Sequence, residues 1–185
     1  YPSKLSIQSN SHALARYSAL VQECSMVPIV EPEVLMDGDH SIKDCYEKTS
    51  EVIKKCFEEL IFHKVDLKGI ILKPNMILPG NKSKDKVSNE EIANLTLECL
   101  KNSVPSEVQG IAFLSGGQSE IEATENLDLI NKLNNTSFIM SYSYGRALQQ
   151  GALKFWSKNT QDIKGTQNIF NHRAKMNTSA AKGKW

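Results

Sequence analysis

Gly69-Ile70-Ile71-Leu72-Lys73-Pro74-Asn75-Met76 runs from glycine through three apolar residues into a lysine and then a proline. The apolar run reads as a buried strand, and the proline, which disfavours helix for the residue before it, ends the run just past the polar side chain. Three more runs have the same form. Val27-Pro28-Ile29-Val30 leads into Glu31, Ile111-Ala112-Phe113-Leu114 into Ser115, and Ser137-Phe138-Ile139-Met140 toward Tyr144-Gly145-Arg146.

Amphipathic helical stretches alternate with these runs. Leu14, Tyr17, Ala19, Leu20 and Val21 recur at roughly helical spacing over 11–24. Ser41 is a candidate N-cap for a helix over about 41–62, whose apolar face is Ile42, Cys45, Tyr46, Val52, Ile53, Cys56, Phe57 and Leu60. Ser88-Asn89-Glu90-Glu91 opens a helix carrying Ile92, Leu95, Leu97 and Leu100, and further helices are predicted over 120–133, 147–156 and 163–176. Strand and helix alternate throughout, and the strands are continuous apolar runs, which predicts parallel strands buried on both faces in an α/β fold.

Glu31, Lys73 and Ser115 stand 42 positions apart. That spacing suits successive βα units, whose strand ends lie on one face of the sheet. Four units are visible, whereas a closed (β/α)8 barrel takes about 250 residues, so the pattern predicts the second half of such a barrel.

The 185 residues carry 22 basic and 21 acidic side chains, a net charge of +1, with 40% apolar content. This gives no electrostatic reason to expect a nucleic acid or an anionic membrane as partner; any anion must be met locally. Cys24, Cys45, Cys56 and Cys99 are scattered and form no zinc-type cluster by spacing, which fits a reduced compartment. No apolar run nears the ~20 residues of a membrane span, and nothing reads as a secretory signal. The expected location is the cytoplasm.

A lone lysine at a strand end more often snorkels or pairs with a carboxylate than reacts. Here three other polar strand ends accompany it. A lysine attacks a carbonyl only as the neutral amine, and the carbinolamine it forms must lose water, so a carboxyl group on the next strand has a defined task as acid and base. Glu31 and Glu33 supply two such groups; a loop salt bridge is the plainer reading of Glu33. Ser115-Gly116-Gly117 offers approachable backbone N–H groups at a helix start, and Tyr144-Gly145-Arg146 repeats this with a guanidinium. A glycine pair alone is usually a tight turn, and a lone arginine a surface ion pair; together they match the phosphate site that barrels build in the loops after strands seven and eight.

With these residues in view, the chain resembles the class I fructose-1,6-bisphosphate aldolases. The segments that carry the resemblance are LARYSALVQE (14–23), VPIVEPEVLMDGDH (27–40), ILKPNM (71–76), FLSGGQSE (113–120) and SYGRALQ (143–149), in the family order. The resemblance implies a (β/α)8 barrel of which residues 1–157 are the C-terminal half, strands five to eight with their helices, and 158–185 a helical region with the family tail truncated. It implies reversible Schiff-base cleavage of fructose 1,6-bisphosphate to dihydroxyacetone phosphate and glyceraldehyde 3-phosphate. Lys73 would form the Schiff base, Glu31 act as general acid and base, and Glu33 stand as second carboxylate. Ser115, Gly116, Gly117, Gly145 and Arg146 would hold a substrate phosphate, with Leu114 and Tyr144 lining the site. No metal or cofactor is implied. The implied partners are a phosphorylated ketose, sister chains in a homotetramer when full length, and actin or another cytoskeletal protein.

The family's first half, with its own active-site residues, precedes these motifs, so the chain is expected to be a fragment and inactive alone. Two other readings compete. A different Schiff-base barrel, such as a transaldolase or deoxyribose-phosphate aldolase, is disfavoured by the ILKPNM and SGGQSE segments together. A non-catalytic aldolase-like binding protein would sediment with filamentous actin without turnover.

Overall fold

The computed structural model describes residues 2–185. Four short strands, β1 (Ile29–Val30), β2 (Ile71–Leu72), β3 (Gly110–Phe113) and β4 (Ile139–Tyr142), pair in parallel in the order in which they occur in the chain. Six helices accompany them among the described residues: α1 (Lys4–Glu23), α2 (Ile42–Phe62), α3 (Asn89–Ser103), α4 (Glu120–Leu133), α5 (Arg146–Trp156) and α6 (Ile163–Ala180). This is the α/β arrangement expected of four successive βα units of a (β/α)8 barrel.

Side-chain alternation divides the sheet into two faces. Val30, Leu72, Ile111, Phe113 and Met140 point to the helix layer and are buried with Ile53, Phe57, Leu60, Leu97, Leu100, Leu127 and Ile130 in one core. Burying each large side chain of this kind contributes about 1.5–3 kcal/mol. The other face departs from the expectation of strands buried on both sides. Ile29 and Ile139 are 45% and 70% exposed, because no helix of these four units covers the face that a closed barrel turns inward.

Serine caps set most helix starts. Ser41 accepts from the Asp44 N–H while the Asp44 carboxylate accepts from the Ser41 N–H, and Ser119 and Glu122 repeat this reciprocal box at α4. The first helix begins earlier than the periodicity from Ser11 suggests, at Lys4, where the Ser3 hydroxyl accepts from Ser6. The helix predicted over 163–176 runs on to Ala180, with Thr124 Oγ1 donating to Asn177 Oδ1 at 2.6 Å to dock it on α4.

Both α1 and α2 stop without glycine. Ser25 and Lys64 adopt φ of 57° and 59°, and the N–H groups of Ser25 and Met26, and of Lys64 and Val65, fold back onto the last carbonyls. These reversals aim the chain into β1 and, through a short 3-10 turn at Leu67–Gly69, into β2.

Candidate active site

The parallel register puts Val30 opposite Leu72, and the ladder continues one residue further, the Lys73 N–H donating to the Val30 carbonyl at 2.7 Å. Glu31 and Lys73 therefore leave the sheet side by side on the face that carries Ile29 and Ile71. Lys73 Nζ lies 3.0 Å from Glu31 Oε1, with side-chain exposures of 19% and 41%. That distance is within the hydrogen-bond reach that direct proton transfer between an amine and a carboxylate requires.

The pair sits in a cleft of ≈ 480 Å³ that also brings together Glu33, Leu114, Ser115, Gly116, Gly117, Gly145 and Arg146. Burial and the neighbouring Glu31 carboxylate push the Glu33 carboxyl above its ordinary value, against the pull of Lys73 and Arg146. The cleft thus holds one carboxylate in contact with the lysine and a second that protonates more readily than usual.

Gly116 and Gly117 have φ of 56° and 80°, a conformation L side chains rarely adopt, so the turn requires glycine. It does not sit directly on a helix start, as its sequence suggests. Helix α4 begins three residues later, and the Ser119 hydroxyl already accepts from the Glu122 N–H of its first turn. The N-terminus of α5 is different. Gly145 offers no side-chain cap, whereas the other five helices each have one among the described residues. The first amides of α5 and the Arg146 guanidinium thus stand at the cleft with the positive end of a helix dipole behind them, an arrangement that favours an anion.

Tyr144 corrects the expectation that it lines the site. Its side chain is buried on the helix side, and its hydroxyl donates to the Ala123 carbonyl at 2.8 Å. The cause is alternation along β4: Met140, Tyr142 and Tyr144 share one face, while Ser143 falls on the other and reaches the cleft. Counting by two from Met140 in the sequence would have found this.

Other cleft residues carry no such signal. Asp37 and Asn81 come from two loops laced together by backbone bonds, Asn81 N–H to Met36 O at 2.8 Å and Lys82 N–H to Gly38 O at 2.8 Å. Asn75, just past the lysine, is 2% exposed and ties the site together from beneath. Its Oδ1 accepts from the Val34 N–H at 3.0 Å, and its Nδ2 donates to Thr49 Oγ1 at 3.0 Å and the Met76 carbonyl at 3.1 Å. The loop that carries Glu31 and Glu33 is thereby pinned to the strand end that carries Lys73. A groove of ≈ 510 Å³ between α5 and α6, lined by residues such as Leu153, Trp156 and Phe170, holds no titratable side chain.

The family model described as fructose-bisphosphate aldolase class-I matches residues 1–185. A probable fructose-bisphosphate aldolase class 1 of Xanthomonas campestris pv. campestris is 48% identical over 185 residues, covering 100% of this chain and 55% of the relative. The fructose-bisphosphate aldolase, cytoplasmic isozyme, of Spinacia oleracea is also 48% identical, covering 100% of this chain and 52% of its own. Among solved structures, the fructose-bisphosphate aldolase of Plasmodium falciparum in complex with TRAP and a small-molecule inhibitor superposes with a TM-score of 0.96 at 40% identity, over 100% of this chain and 53% of that one. The chain spans about half the length of the curated relatives it matches.

Proposed function

The chain belongs to the class-I fructose-bisphosphate aldolase family, and from that premise we propose that it carries the Schiff-base half of an aldolase active site acting on fructose 1,6-bisphosphate. The observation that carries the reading is the 3.0 Å Lys73–Glu31 pair, in one cleft with the glycine turn at 115–117 and the uncapped start of α5.

In this reading Glu31 accepts a proton from Lys73, and the neutral amine adds to the ketone carbon of the substrate. Glu31 then protonates the carbinolamine hydroxyl, which leaves as water and gives the protonated imine. The imine draws electrons from the carbon–carbon bond as the distal hydroxyl gives its proton to the now unprotonated Glu31 carboxylate, so that glyceraldehyde 3-phosphate departs and an enamine remains. That proton passes from the carboxyl group to the enamine carbon, and addition of water to the imine then releases dihydroxyacetone phosphate and the free lysine. Glu33, more easily protonated than an ordinary carboxyl, supports these transfers as the second carboxyl group. Ser115, Gly116, Gly117, Gly145 and Arg146 hold a phosphate, and Leu114 supplies an apolar wall.

The same proposal makes residues 1–157 barrel units five to eight and 158–185 the helical region that follows. The full-length protein is a cytoplasmic homotetramer in this reading, and co-sedimentation with filamentous actin tests the cytoskeletal partner. The decisive experiment is borohydride reduction of the full-length protein with dihydroxyacetone phosphate. A three-carbon adduct is expected on Lys73 and is lost in Lys73→Met; an adduct on Lys64 or Lys68 instead overturns the assignment.

A further inference from the structure

Away from the cleft, the packing of α1 on α2 brings His12 against the last turn of α2. There Glu59 and His63 stand four residues apart on one helical face. One ligand atom from each of the three residues lies within 4.8 Å of the other two. We propose that His12, Glu59 and His63 bind a divalent transition cation of the Zn2+ type and so clamp α1 to the end of α2.

The groups around the three are arranged as a metal site needs. His63 Nδ1 lies 2.9 Å from the Glu59 backbone carbonyl; donating there fixes the tautomer that leaves Nε2 with a free lone pair, the usual outer support of a ligating histidine. Glu59 has a side chain only 10% exposed, and its Oε1 is held by Gln8 Nε2 at 2.8 Å and Lys55 Nζ at 3.4 Å. Oε2 is left to face His12 Nδ1 at 3.1 Å. The two imidazole rings meet edge-on with centroids 4.9 Å apart. Tetrahedral bonds of about 2.0–2.1 Å set ligand atoms about 3.3 Å apart; His12 and Glu59 already stand at that separation, and small rotations of the half-buried His63 and the exposed His12 rings close the rest. Two imidazoles and one carboxylate suit Zn2+ far better than the oxygen-seeking Mg2+ or Ca2+, and solvent at the exposed edge of His12 completes the fourth position. Spacing along the chain gives no hint of this set, since His12 is 47 residues from Glu59.

The test is calorimetric titration of chelator-treated full-length protein with zinc chloride, with Co2+ absorption as a second probe of tetrahedral coordination. One equivalent per chain is expected at this site. His12→Ala, at an exposed position that folding tolerates, should weaken it by about 100-fold or more, and Gln8→Ala by about 10-fold, the scale on which outer partners act. Zn2+ should also raise the melting temperature of the wild type and not that of His12→Ala. Absence of binding, or binding unchanged in both His12→Ala and Glu59→Gln, overturns the proposal and leaves a hydrogen-bonded His–Glu–His cluster.

Discussion

Replacing Asn75 by alanine removes the side chain that fastens the carboxylate loop to the lysine strand. Three buried hydrogen bonds to nitrogen and oxygen go at once, those with Val34 N–H, Thr49 Oγ1 and the Met76 carbonyl, at 3.0, 3.0 and 3.1 Å, together with a weak one to Cys45 Sγ at 3.9 Å. Each ordinary bond contributes about 0.5–1.5 kcal/mol net, and a buried group left without a partner costs about 1–3 kcal/mol. The Val34 N–H is the group most exposed to that penalty, because Val34 is itself buried and lies away from the sheet ladder. The expected loss is about 2–4 kcal/mol, read as a shift of the urea midpoint of the full-length protein. Thr49→Val, which removes one of the three bonds, should cost about 1 kcal/mol, and the two changes together less than their sum, since they share a bond. Activity should fall with stability, because Glu31 and Glu33 sit on the loosened segment and a misplacement of about 1 Å at a reacting group costs on the order of 100-fold. If Asn75→Ala loses stability while keeping kcat within twofold, the loop is placed by something else; an unchanged midpoint would remove the energetic argument altogether.

Glu31→Gln should bind substrate normally and lower kcat by about 100-fold or more, because the amide keeps the volume and cannot carry the proton; near-normal turnover would shift the role to Glu33. Arg146→Ala should weaken binding of a phosphorylated ketose by about 10- to 100-fold while sparing a non-phosphorylated analogue, and equal losses on both would indicate structural damage. Tyr144→Phe removes only the bond to the Ala123 carbonyl, so it should cost about 1 kcal/mol of stability and leave KM within about twofold; a tenfold rise in KM would return Tyr144 to the substrate site. Glu33 has a raised carboxyl in the folded state, so above the ordinary value of 4.5 the folded chain holds more protons than the unfolded one, and stability falls as pH rises through the folded value. Glu33→Gln should flatten that fall in pH-dependent melting, and an unaltered profile would contradict the assigned environment.

Much of the site was legible in the chain itself. Apolar runs ending in Glu31, Lys73 and Ser115 specify strands, prolines stop the first two, and serine caps open four of the six described helices, because these signals act over a few residues and need no distant partner. Period-two alternation even places Ser143 and Tyr144 on opposite faces. The left-handed turns at Ser25 and Lys64 were not legible, since neither residue type advertises that conformation and the flanking helix and strand impose it. Nor was the role of Asn75, an unremarkable amide until Val34 and Thr49 arrive from elsewhere in the fold. The uncovered inner face of the sheet and the meeting of His12 with Glu59 belong to the same class. Local propensity determined which elements form and what stands at their ends. Packing decided which of those ends touch, because a contact between residues 41 or 47 positions apart depends on crossing geometry that no local stretch encodes.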